Sequence, residues 1–214
     1  MLQFVRTITN SETIMSETKY SFEKDLHEAT AMAEGLAEYV RIDMLYGKVG
    51  SGGMFGGGKM PSLTIGALLM RIRRLSVLND QLNSNQQTQL QKVINRHDAV
   101  VEEWRFHYEQ KLVREAKSRL DAMSTYFDEC RSDPNLCASA YLPEAFRRTV
   151  AEECVLGMAD LNVAVDAELN LKREGTDGHL RALVRPADFI WSHKLITAYP
   201  RDDFWWLYNQ PPKP

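Results

Sequence analysis

Ser84–Arg131 reads SNQQTQLQKVINRHDAVVEEWRFHYEQKLVREAKSRLDAMSTYFDECR, with neither glycine nor proline. The uninterrupted run extends back to Ala67 and on to Asp133. Leu90, Ile94, His97, Val101, Trp104 and Tyr108 recur in alternating steps of four and three, which is the seam of an amphipathic helix. Leu112, Ala116 and Leu120 then step by four, and Met123, Phe127 and Cys130 return to mixed steps. The spacing predicts one very long helix. At 1.5 Å per residue it reaches roughly 70 Å. A compact chain of this length has a radius of gyration of about 17 Å and a diameter of about 45 Å. The rod must therefore project, bend or pair with another subunit, and the change of period near Leu112 is where a bend is expected.

Upstream, Ser21 fits an N-cap with Glu23 and Asp25 in the first turn. Phe22, Leu26, Ala29, Ala33, Leu36 and Val40 continue the seam of a first helix expected to end near Tyr46. The glycine-rich loop Gly47–Gly58, GKVGSGGMFGGG, excludes a regular element because ordering each glycine costs backbone entropy. Ser62 or Thr64 then caps a second helix with the seam Ile65, Leu68, Ile72, Leu75, Asn79 and Leu82, in which Asn79 is expected to be a buried polar residue. The tract Asn83–Gln87 supplies a tight turn, making the second and third helices antiparallel neighbours.

Downstream, Asp133-Pro134-Asn135 ends the rod. A short helical turn is expected over Leu136–Tyr141. Pro143 then fits the first position of a further helix whose stripe, Phe146, Val150, Cys154, Met158, Leu161, Val165 and Leu169, runs to about Arg173, with Gly157 as a bend. Beyond Gly175 and Gly178 the period is lost and prolines recur, so an irregular tail with one short helix near Leu180 is expected. Phe189, Trp191, Tyr199, Phe204, Trp205, Trp206 and Tyr208 make that tail an aromatic strap across the helices. The predicted fold is all-α: an elongated antiparallel helical bundle of about four main helices, with a very long third helix and an irregular aromatic C-terminal strap. Residues 1–20 form an N-terminal arm, 21–174 the bundle and 175–214 the tail.

Composition narrows the partners. A net charge of -3 and a pI near 6.0 give no basic footprint for nucleic acid. No run approaches the roughly 18 apolar residues of a membrane span, and the first residues lack the apolar core of a secretory signal. The three cysteines, Cys130, Cys137 and Cys154, include no C-x-x-C pair. Buried free thiols in a cytoplasmic protein are the expectation.

Candidate chemistry is sparse. Gly53–Lys59 satisfies G-x-x-x-x-G-K, but a helix precedes it, Met60 stands where a phosphate-binding loop needs Ser or Thr, and Pro61 follows. Glu23 with His27 and Glu103 with His107 place a carboxylate and an imidazole four apart, a spacing that lets both share a helix face and ligate a metal. Both pairs flank their seams rather than line them. His97 lies on a seam without a neighbouring nucleophile. Arg71, Arg73 and Arg74, with Arg147 and Arg148, are the dense basic groups, and Arg71 with Arg74 on one face would suit a phosphate or an acidic partner. The expected function is a non-enzymatic interaction or structural protein, acting as a homodimer or on a protein partner. The alternative is a metal-dependent or small-ligand bundle enzyme or regulator. No cofactor is identified.

Overall fold

The computed structural model describes residues 19–49 and 60–212; the arm before residue 19 and the Gly53–Lys59 match lie outside them. Five helices account for most of the described chain: α1 Phe22–Arg41, α2 Ile65–Val77, α3 Ser84–Ser132, α4 Pro134–Asp160 and α5 Ala167–Leu183. The all-α expectation is met, with an irregular C-terminal region.

Each helix begins on a side-chain cap that satisfies an otherwise orphaned N–H. Ser21 accepts from Lys24 N, Thr64 from Ala67 N, Asp133 from Asn135 N and Asp166 from Leu169 N. At the start of α3, Asn83 and Gln86 form a reciprocal capping box.

The first seam is buried as its spacing predicts, at Leu26, Ala29, Ala33, Leu36 and Val40. However, α1 stops at Arg41 rather than near Tyr46. Residues 42–46 instead run beside α3. The Tyr39 hydroxyl donates to Leu45 O (2.6 Å), Lys111 Nζ donates to Met44 O (2.5 Å), and the Tyr46 hydroxyl meets Ser118 Oγ at 3.0 Å. Gly47 and Leu63 then form an isolated antiparallel bridge that closes the glycine-rich segment at its base. In α2, Thr64 is the cap and Leu68 and Leu75 are fully buried. Asn79 corrects the expectation: it lies exposed in a 3-10 turn after α2, because the helix has already ended at Val77.

The rod bends earlier than its period suggests. Trp104 leaves helical geometry (φ -120°, ψ 28°), while Leu112 stays helical. A straight helix would separate residues 97 and 108 by roughly 16 Å along its axis. Here their rings lie 5.5 Å apart between centroids, and His97 Nε2 hydrogen-bonds the Tyr108 hydroxyl at 2.8 Å. Neither Gly nor Pro causes this kink. Contacts from other elements hold it: the Arg41 guanidinium sits 5.3 Å from the Trp104 ring, and Arg105 Nη2 donates to Leu161 O at 2.6 Å.

The fourth predicted helix is two helices with a different start. Its first turn joins the turn expected at Leu136–Tyr141, so Pro143 sits inside α4 rather than at its N-terminus. The stripe through Leu161 and Val165 is broken after Asp160, where Asn162 takes a left-handed φ of 56° and the chain turns before α5. Gly157 marks close approach, since a Cβ there would lie 2.7 Å from Leu69 Cδ1. Gly175 and Gly178, expected to end helical structure, lie inside α5.

Two apolar cores result. One joins α1, α2, the middle of α3 and the second half of α4 around Met32, Leu36, Leu68, Leu112 and Met158. The other joins the end of α3, the first half of α4 and the aromatic tail around Met123, Tyr141, Phe146, Trp191, Tyr199 and Trp206. The tail is anchored by the strand pair β1 Arg185–Pro186 and β2 Asn209–Gln210 and by the Tyr141 hydroxyl, which donates to Trp206 O (2.7 Å).

Cys130 and Cys137 are joined in a disulfide across the α3–α4 corner, which corrects the expectation of three free thiols; Cys154 alone is free and buried. The sequence hides the pair because the spacing of seven resembles no thiol motif, and only the reversal at Asp133 brings the two residues together. No described helix is long and apolar enough to cross a membrane.

Candidate functional site: buried ion pairs and two clefts

The chemistry-bearing side chains fall into two groups: charges sealed in the core, and a mixed surface along α3 and α5. The first sealed group ties α1 to α2 and to the tail. Arg71 and Arg74 are 1% and 0% exposed. Arg71 Nε donates to Glu28 Oε2 (2.9 Å), its Nη2 contacts the same oxygen, and its Nη1 donates to Ala67 O (2.8 Å). Asp25 Oδ1 lies 3.7 Å from Arg71 and 3.5 Å from Arg74. Arg74 Nε donates to the Tyr199 hydroxyl (2.7 Å), and its guanidinium packs over the rings of Trp191 and Tyr199. The two arginines read as a phosphate or acidic-partner face are thus turned inward and occupied by this chain's own carboxylates. The buried Tyr20 hydroxyl faces Asp25, and burial together with the Asp25 charge pushes the Tyr20 phenol well above its usual range.

A second group sits where α2 starts. Glu115, fully buried, accepts from Gly66 N (2.8 Å) and from Arg119 Nε (2.8 Å), and Arg119 Nη2 reaches Thr64 Oγ1 (3.1 Å). A carboxylate at the first turn of a helix is favoured by the orphaned N–H groups there. Gly66 is required by this approach, because a Cβ would lie 2.5 Å from Cys154 Sγ and 2.9 Å from Val150 O. Burial, with the Glu115 charge, pushes the Cys154 thiol far up, so it is no nucleophile.

On α4, Glu153 pairs with Arg73 (2.7 Å) while its Oε1 has no hydrogen bond, and burial raises its pKa despite the cation. Glu144 is raised in the same way beside Arg147. Arg148 is held by Asp177 (2.7 and 3.1 Å) and Glu152 (2.7 Å), over the Trp206 ring at 4.0 Å. Glu28, Glu115 and Arg119, and the burial of the first-turn Asp25, are hidden in the sequence because each sits one position off an apolar seam, where solvated charge is the ordinary reading.

The proposed metal pairs remain on the surface. Glu23 is exposed and accepts from Ser21 Oγ (2.8 Å) and Gln86 Nε2 (3.2 Å), which hold its carboxyl below its usual range. His27, Glu103 and His107 are exposed, and His107 makes edge contacts with Trp104 and Phe106. Among the described residues, no group of three or more His, Cys, Asp or Glu side chains is placed to hold a metal. His97 serves the kink described above and also contacts Asp98 Oδ1 through Nδ1 (2.9 Å).

Clefts open on the surface of the described residues, and two of them border the helices above. One, of about 320 Å³, lies between α3 and α5, with Leu120, Phe127 and Leu171 as apolar wall and Asp121, Arg131 and Lys172 at its rim. The Lys172–Asp121 pair (2.5 Å) bridges it, and the His179 ring packs on Phe127 at 5.0 Å. The other, of about 490 Å³, lies between α4 and the strand pair, against Tyr141, Leu142, Pro186, Phe189 and Pro211. Neither cleft is lined by any of the sealed charges. Among the described residues, no Ser, Thr or Cys side chain hydrogen-bonds a histidine, the arrangement that activates a nucleophile.

No protein-family model, no curated protein and no solved structure matches the chain.

Proposed function

We propose that this chain is a non-enzymatic interaction protein that works by assembling with a second copy of itself. The observation that supports the reading is the separation of charge from cleft. Arg71, Arg74, Glu115 and Arg119, charged groups sealed in the core, are consumed in pairs with Glu28, Tyr199, Gly66 N and one another, and none lines either cleft described above. Catalytic sites instead bring perturbed ionisable groups to a cavity. Buried pairs of this kind specify how helices register more than they stabilise them. Meanwhile large apolar side chains stand exposed, with Phe106 at 65% and Leu171 at 70%.

The length of the rod no longer supports assembly, since the kink at Trp104 folds it back on the body. The support comes from the exposed helix surfaces. Light scattering of the purified full chain tests the reading. A species at twice the 24.5 kDa chain mass, growing with concentration, is expected. A particle of the single-chain mass at every concentration up to the solubility limit removes it.

A further inference from the structure

The outer face of α5 has the composition of a buried surface. Its inner face, Leu169, Thr176 and Leu180, is covered by the body. Opposite it, Ala167, Leu171, Gly175, Gly178 and Ala182 follow in steps of four, four, three and four, and all are exposed. A helix face meant for water carries charged and long polar residues. Leu171, the most exposed of the large apolar side chains, stands in this row at 70%. Among the described residues, nothing packs against its neighbours Gly175 and Gly178. A Cβ at either would meet nothing within 4 Å, and both have ordinary helical backbone, where glycine is the costlier residue.

We propose that this face is the contact between two copies of the chain, with α5 crossing α5 of the partner antiparallel near Gly175 and Gly178. The inference rests on the assembly reading above. Such a contact is isologous, so each patch must complement itself. Shape does so: an antiparallel crossing centred between the two glycines sets Leu171 of each copy over the open surface at Gly178 and Ala182 of the other. Charge does so too. Glu168 is taken up by Lys117 at 2.6 Å, which leaves Glu174 as the exposed carboxylate in the N-terminal part of α5 and Arg181 as the exposed cation toward its C-terminal end. The crossing therefore brings Glu174 of each copy toward Arg181 of the other. The two cations of the acidic half are drawn aside, Lys172 by Asp121 at 2.5 Å and Arg173 toward Glu152 at 3.9 Å. The α3–α5 cleft opens beside Leu171 and Gly175, so the crossing would run along its edge.

Sedimentation equilibrium of the full chain tests the contact with Leu171→Gln, Gly178→Gln and, as a control away from α5, Leu136→Gln, another exposed apolar residue at 45%. Gly178→Gln adds a good helix former in open space, so circular dichroism melting should show a fold at least as stable as the parent. Each α5 variant should nevertheless raise the dimer dissociation constant by about tenfold or more, the loss expected of a central interface residue, while the control leaves it unchanged. A dimer that persists at parental affinity in both α5 variants, or weakens equally in the control, overturns the contact while leaving assembly intact. A parent chain that is monomeric throughout overturns both.

Discussion

Glu115 shows how much can depend on one side chain. It accepts from the first turn of α2 and from Arg119, both inside the core. Truncation to alanine leaves a buried guanidinium without its carboxylate, so Glu115→Ala should lose about 3–5 kcal/mol of stability, measured by urea unfolding. Glu153 predicts a pH effect of defined sign. Its folded pKa lies above the ordinary 4.5 because burial disfavours the charge, so the folded state holds the proton more tightly than the unfolded state. Its contribution is fully present below 4.5 and is lost as pH rises through the raised value. In thermal melts, the parent chain should therefore gain stability relative to Glu153→Gln as pH falls from neutrality toward 4.5. A constant difference across that window would contradict the direction. The exposed carboxylates Glu23, Asp43 and Asp166 are shifted the other way, which is why the comparison must be against the single variant. None of this was legible from sequence, where Glu115 and Glu153 look like the solvated side of their helices.

At the scale of elements, apolar spacing revealed most helices and misplaced several of their ends. The seam of α1 was readable because one face carries nearly all its contacts. The ends of α4 were not, since its stripe continues in phase through Leu161 and Val165 although the chain turns at Asn162. The kink in α3 had no local signal: Trp104 is an ordinary helical residue there, and what bends the helix is Arg41, Leu161 and the His97–Tyr108 pair. Spin labels at Asn85 and Glu129, diluted with unlabelled chain, should report a separation well below the roughly 65 Å that a straight helix imposes. The Cys130–Cys137 disulfide fastens the next corner, where the Tyr126 hydroxyl also donates to Cys137 O at 3.1 Å. Paired Cys130→Ser and Cys137→Ser substitution should cost about 2–3 kcal/mol through the freed loop, read by denaturant unfolding. Alkylation before reduction should label neither cysteine in the parent.

Across the whole molecule, the aromatic tail closes a core that the helices alone leave open. Trp191, Tyr199, Phe204 and Trp206 are each at most 4% exposed. Burying one such side chain is worth roughly 1.5–3 kcal/mol, against a total stability of about 5–15 kcal/mol for a domain. A chain ended after Val184 should therefore lose cooperative thermal unfolding and bind a hydrophobic dye, whereas retention of a sharp melt would show that the helices suffice. The tail's aromatic richness announced that packing role in the sequence; its anchor points, Arg74 and Tyr141, did not, because they lie far away along the chain. The small bridge between Gly47 and Leu63 carries a different consequence. Its two hydrogen bonds, each 2.9 Å, hold the departure and return of the intervening chain a single strand spacing apart. Lengthening that excursion adds only about 0.6 kcal/mol of closure entropy per doubling. The clasp thus marks a natural seam for grafting: a guest peptide, or new termini for a circularly permuted chain, belongs between Gly47 and Leu63, with α1 kept in register by its buried face.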